Sequence, residues 1–143
     1  MIATESLNTQ KEYEIIPLPE THDFSDMSIS KLDMDAVGFL HHETGRIVGY
    51  AWYDVREGVL DMHLIYVIDK EQGHGTAIVE FLFEELNLTS MIGSVMLDYN
   101  LCAWSFWESL GSVLEAKTAE EMEERIREGW ETFFELTKEN LFN

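Results

Sequence analysis

The residues of this chain whose types and spacing could do chemistry are Asp61, His63 and the run Gln72-Gly73-His74-Gly75-Thr76-Ala77. Residues two apart on a strand share a face, so Asp61, His63, Ile65 and Val67 would point the same way if Val59 to Val67 is extended. An imidazole titrates near neutrality and an aspartate is ionised there, so either could take a proton from a nucleophile. The same two side chains also fit a solvated carboxylate and a structural histidine. The glycine-containing run stands where a strand gives way to a helix. Glycine lets the backbone approach an oxygen-rich group closely, and the first N–H groups of a helix lack intrahelical partners, so a phosphate or pyrophosphate is the natural guest. A plain turn would use the same glycines. No Gly-Lys-Ser/Thr closes the run and no βαβ opening precedes it, which sets aside the nucleoside-triphosphate loop and the dinucleotide fold.

These residues need elements to hold them. Tyr13 to Leu18 reads as a short strand, stopped by Pro17 and Pro19. The polar stretch from Glu20 to Asp33 fits one short helix or a few turns. Three strands follow in succession, Met34 to His41, Arg46 to Val55 and Val59 to Val67, joined by turns that each hold a glycine. Ile78, Leu82 and Leu86 recur at helical spacing, with Val79 and Phe83 beside them, and predict a helix from about Gly75 to Leu88. Gly93 to Tyr99 reads as a further strand. Asn100 can cap a short helix to Leu110, Gly111 can end it, and Ser112 to Ala116 is a short strand candidate. Thr118-x-x-Glu121 is a capping-box pattern. Met122, Ile126, Trp130 and Phe133 behind it lie on one stripe, which predicts a long final helix to about Glu139. The order of elements indicates an α/β chain, a mixed sheet with helices packed on it, formed as a single domain over residues 1–143.

The bulk numbers narrow the partners. Among 143 residues, 28 are acidic and 9 basic, a formal net charge of −19. A surface this negative disfavours nucleic acid and anionic membrane, and it favours cationic partners. The alternative reading of the same acidity is a simple solubility trait. No apolar run approaches the ~18 residues of a membrane span. The opening residues show no secretory leader pattern. The one cysteine, Cys102, allows no internal disulfide, and a cytoplasmic location is the expectation. No ligand set for a metal stands out.

Gln72-Gly73-His74-Gly75-Thr76-Ala77 resembles the Gln/Arg-x-x-Gly-x-Gly/Ala signature of the Gcn5-related N-acetyltransferase superfamily. Downstream, Asn100-Leu101-Cys102-Ala103-Trp104-Ser105-Phe106-Trp107-Glu108-Ser109-Leu110-Gly111 is similar to that family's Asn-x-x-Ala-x-x-Φ-Tyr-x-x-Leu-Gly segment, Φ being apolar. The resemblance covers Val59 to Gly111 well and Met34 to Val55 less so. It implies an acyl-coenzyme-A-binding fold with acetyl-coenzyme A as cosubstrate. The acceptor would be an amine, on a cationic small molecule, a protein lysine or a protein N-terminus. The backbone from Gln72 to Ala77 would hold the pyrophosphate. Tyr66 and Val67 would pair with the pantetheine arm, and Asn100 and the helix bearing Trp107 would flank it. Asp61 or His63 would be the general base.

The chain also departs from that family. Trp107 stands where the family often has a tyrosine that protonates the departing thiolate, and an indole cannot be that acid. The N-terminal helical wall is expected to be shortened, and the long C-terminal helix would take the place of two closing strands. Either feature would leave the acceptor side open, or completed by a second copy in a homodimer. The competing expectation is a coenzyme-A-binding or regulatory protein that keeps the fold without turnover.

Overall fold

The computed structural model describes residues 11–19, 22, 36–68, 73–97 and 100–143. The shortened helical region expected between Glu20 and Asp33 lies, His22 apart, outside the described residues. Seven strands and four helices are present among those described: β1 Tyr13–Pro17, β2 Val37–His41, β3 Arg46–Arg56, β4 Val59–Val67, α1 His74–Glu85, β5 Ser90–Val95, α2 Cys102–Ser109, β6 Val113–Leu114, α3 Ala119–Glu128, β7 Thr132–Thr137 and α4 Lys138–Leu141. The chain divides into two compact units, Met1–Trp52 with Ile65–Ile78, and Tyr53–Leu64 with Val79–Asn143. No helix among the described residues is long and apolar enough to cross a membrane.

The first unit is built on antiparallel pairing. β1 pairs β2 from Tyr13↔His41 to Pro17↔Val37, and β2 pairs β3 from Val37↔Ala51 to His41↔Arg46 with a bulge between Phe39 and Leu40. Buried Ala36 and Tyr50 form its small core, with Leu18, Ile47, Tyr66 and Ile68 packed against them. Strand alternation explains the set, since one side chain in two turns inward.

The second unit begins with the end of β3. Glu57 and Gly58 both have positive φ, 51° and 81°, the geometry of a two-residue type I′ hairpin that returns the chain as β4. β4 then pairs β5 in parallel, from Val59↔Ser90 to Met62↔Gly93. β7 runs antiparallel to β5 over Ser90↔Thr137 to Val95↔Thr132, and β6 pairs β7 on its far edge. A Cβ on Gly93 would stand 2.6 Å from the Met62 carbonyl oxygen and 2.9 Å from the Phe134 ring, so only glycine fits between these strands. α2 packs on β5 and β6.

The expected long C-terminal helix is corrected here. α3 stops at Gly129, which has φ 72° and caps the carbonyl ends through its N–H to Arg125 and Ile126 oxygens. Thr132–Thr137 then alternates buried and exposed with period two, as a strand must. Trp130 and Phe133 extend the helical stripe in sequence only, and both are exposed. The two closing strands are therefore present, with α3 inserted between them. β5 also starts three residues earlier than expected, at Ser90, because its register with Val59 of β4 begins there. Half of the expected capping box is observed: Thr118 Oγ1 accepts from the Glu121 N–H at 3.1 Å, while the Glu121 carboxylate accepts from the Lys117 N–H at 2.9 Å, one residue before the cap.

Candidate functional site

In the first unit, β4 ends at Val67 and α1 begins at His74. Gln72 lies outside the described residues, and Gly73 precedes the helix with φ 79°. Helix geometry leaves the N–H groups of His74, Gly75 and Thr76 without an intrahelical acceptor. Ala77 differs from the expectation, because its N–H closes the first turn on the Gly73 oxygen at 3.3 Å. No acidic residue stands in the first turn of α1, so the positive end of the helix is not neutralised by its own side chains. Buried Ile78, Val79, Leu82 and Phe83 anchor the helix. Among the described residues the start of α1 thus combines an unobstructed Gly73, unpaired backbone donors at His74, Gly75 and Thr76, and a first turn without a carboxylate. Tyr66 is half-buried, with its ring turned to the core of Ala36 and Tyr50, so its contribution to a ligand would be its backbone.

His74 sits in a polar cluster that the sequence did not reveal. Its Nδ1 lies 2.8 Å from the Tyr13 hydroxyl, and its ring meets that of His41 edge-on with centroids 4.9 Å apart. His41 Nε2 donates to Glu12 at 3.3 Å, and its Nδ1 lies 3.2 Å from Thr44 Oγ1. Burial, with Glu12 adding repulsion, pushes the Tyr13 phenol up to about 12. The sequence separation of 61 between Tyr13 and His74 leaves no local pattern that would join them.

In the second unit the expected strand face is observed. Leu60 and Met62 are buried, while Asp61 is half-exposed and His63 exposed, as period two requires. His63 Nε2 donates to Asp54 Oδ2 at 2.8 Å, so Asp54 of β3 shares that face with His63 and Asp61. Asp54 was missed by sequence reasoning; the hairpin at Glu57–Gly58 was the available signal, since it folds the end of β3 back along β4. Asn100 does not cap α2. That position is taken by Leu101 in the left-handed region, φ 59°, with no side-chain cap, and Asn100 itself is exposed. Trp107 is 3% exposed, and its ring stacks on Phe134 with centroids 3.8 Å apart and planes 15° from parallel. Its neighbour on the helix, Trp104, is satisfied by donating Nε1–H to the Ala116 oxygen at 2.8 Å. The indole of Trp107 is thus packed in the core. Among the described residues, no group of three His, Cys, Asp or Glu side chains could hold a metal ion.

No family model matches the sequence, and no curated protein does. Solved structures do match. Ard1 from Thermoplasma volcanium is 14% identical over 87% of this chain and 96% of that chain, with a TM-score of 0.52. An N-acetylglutamate synthase from Neisseria gonorrhoeae, complexed with coenzyme A and N-acetyl-glutamate, is 9% identical over 90% of this chain and 36% of that one, with a TM-score of 0.50. A PaiA N-acetyltransferase from Thermoplasma acidophilum, in complex with coenzyme A, matches at 14% identity and a TM-score of 0.49 over 79% of this chain, which spans 64% of that protein's length. The fold is therefore that of the N-acetyltransferases, as the two sequence signatures implied.

Proposed function

We propose that this chain is a Gcn5-related N-acetyltransferase that carries the acetyl group of acetyl-coenzyme A to a primary amine. The observation that carries the reading is the junction from β4 through Gly73 to α1, with its backbone donors and its acid-free first turn, in an acetyltransferase fold. The pyrophosphate would be held by the N–H groups of His74, Gly75 and Thr76, with Gln72 ahead of them in the run and the Ala77 N–H kept by the first turn of the helix. The pantetheine arm would follow the backbone at Tyr66 and Val67, with Asn100 and α2 beside it. β4 thus carries two tasks along its length, since Asp61 and His63 stand a few residues earlier on the same strand.

The reaction has simple bookkeeping of atoms. The amine nitrogen attacks the thioester carbonyl, a C–N bond forms, and the C–S bond breaks to release the coenzyme thiolate. The proton lost by the amine goes to a base, for which His63 is the first candidate and Asp61 the second. The excess of acidic over basic residues, 28 to 9, supports a cationic acceptor, either a small polyamine or a lysine-bearing protein. A second reading has one observation in its favour. Trp107, at the family's tyrosine position, is a core residue, which suits a protein that binds the coenzyme without turning it over.

Thermal unfolding with and without acetyl-coenzyme A, followed by assay of free thiol with a panel of amines, tests both. We expect a raised Tm, amine-dependent thiol release, and a loss of about 100-fold in kcat for His63→Ala with coenzyme affinity unchanged. A raised Tm without thiol release would select the non-catalytic reading. No rise in Tm would remove both.

A further inference from the structure

Building on the transfer reading above, we infer that Asp54 is the positioning residue for His63, fixing which ring nitrogen carries the lone pair that accepts the amine proton. The assignment follows from hydrogen-bond chemistry. A carboxylate can only accept, so at 2.8 Å the Asp54 oxygen must receive the proton of His63 Nε2. A neutral imidazole carries one N–H. With that proton held at Nε2, the lone pair resides on Nδ1, which becomes the basic atom.

The geometry of the strands makes the pairing durable. β3 and β4 are joined by a two-residue turn, so the ends of the two strands cannot slide past each other without breaking the hairpin. Asp54 and His63 are neighbours because the turn is short. Asp61 lies two residues from His63 on the same strand and face, roughly 7 Å along it. It therefore adds a second negative charge to the face on which an ammonium-bearing acceptor would approach. When the amine attacks, its proton moves to Nδ1, and the resulting imidazolium donates from both nitrogens. The Asp54 carboxylate then faces a full positive charge across an existing hydrogen bond, and the proton later leaves to solvent.

This role separates from a structural one because Asp54 is so open. Its side chain is 79% exposed, and pairs this exposed add little to stability. The test uses the full chain, with Asp54→Ala and Asp54→Glu, free acetyl-coenzyme A, and spermidine and a lysine-containing peptide as acceptor probes. Nitrogen-15 histidine spectra of the parent should show His63 as the Nε2–H tautomer. In Asp54→Ala that tautomer should give way to a mixture, kcat should fall about tenfold, and KM for acetyl-coenzyme A should hold. Asp54→Glu should recover part of both losses. An unchanged tautomer, or a changed tautomer with an unchanged kcat, overturns the inference. If the parent releases no thiol with either probe, the transfer reading falls, and the tautomer measurement alone still decides whether Asp54 orients the ring.

Discussion

His74 and His63 each have a polar partner 2.8 Å away, yet they stand in opposite settings. His74 is half-buried beside Tyr13 and His41, which are 2% and 6% exposed, and His41 is itself bonded to Glu12 and Thr44. His63 lies on an open strand face, and the Asp54 carboxylate it meets is 79% exposed. In the first region the polar side chains are held by structure, and what remains on offer to a ligand is backbone. In the second the backbone is committed to the sheet, and the side chains face outward. The comparison teaches that a histidine inside a signature motif can be the less chemical of two. The first region should respond to substitutions that change shape, and the second to those that change protonation.

The largest effect should come from shape. Gly75 lies inside α1, and valine is a better helix residue than glycine, so Gly75→Val carries no propensity penalty. Its branched side chain would stand where the backbone must approach the pyrophosphate. We expect coenzyme A affinity to fall at least ~100-fold, about 2.7 kcal/mol, with far-UV circular dichroism unchanged. Titration calorimetry measures it, and parent-like affinity in a folded Gly75→Val protein would move the site elsewhere.

A middle effect should come from the buried hydroxyl. Tyr13→Phe keeps the ring and removes the group that meets His74 Nδ1. The expected cost is about 0.5–1.5 kcal/mol in urea unfolding at pH 8, with acetyl transfer little altered. Its pH dependence has a definite sign. The phenol is pushed up to about 12 in the folded chain, so the fold favours the neutral form. That contribution is complete below the ordinary phenol value of about 10 and is lost as pH rises through 12. The stability gap between parent and variant should therefore narrow from pH 9 to 12. A gap that widened would show the phenol is not held neutral.

These contrasts explain what was legible in the sequence. The hairpin and β4 were readable because Gly58 and alternating Leu60, Met62 mark a turn and a half-buried strand in a few local residues. The start of α1 was readable because a glycine-containing run leads into an apolar helical stripe of Ile78, Val79, Leu82 and Phe83. The C-terminal strand was hidden, since Trp130 and Phe133 continue the spacing of Met122 and Ile126 and only the conformation of Gly129 breaks it. The cap of α2 was hidden too, because Leu101 holds a positive φ that a leucine gives no reason to expect. Asp54 and Tyr13 became visible only through pairings made by the folded strands.

The smallest effect asks whether exposure is the property that separates the two settings. His42 belongs to the first region by position, next to His41, but it is exposed like His63. Its Nδ1 lies 2.7 Å from the Lys11 carbonyl oxygen and its Nε2 3.1 Å from Glu14 Oε1. Both partners are acceptors, so only the doubly protonated ring donates to both. The Glu14 hydrogen bond first, then that to Lys11, raises the His42 pKa above the ordinary histidine value. A raised value means the folded chain holds the proton more tightly than the unfolded chain. Its stabilisation is thus fully present below about 6.5 and disappears as pH climbs through the raised native value. We expect His42→Ala to lower Tm slightly at pH 5.5 and to match the parent by pH 9, with the difference reduced in high salt because the group is open to solvent. If the difference persisted unchanged at pH 9, His42 would be a packing residue like those around His74, and exposure would not be what divides the two regions.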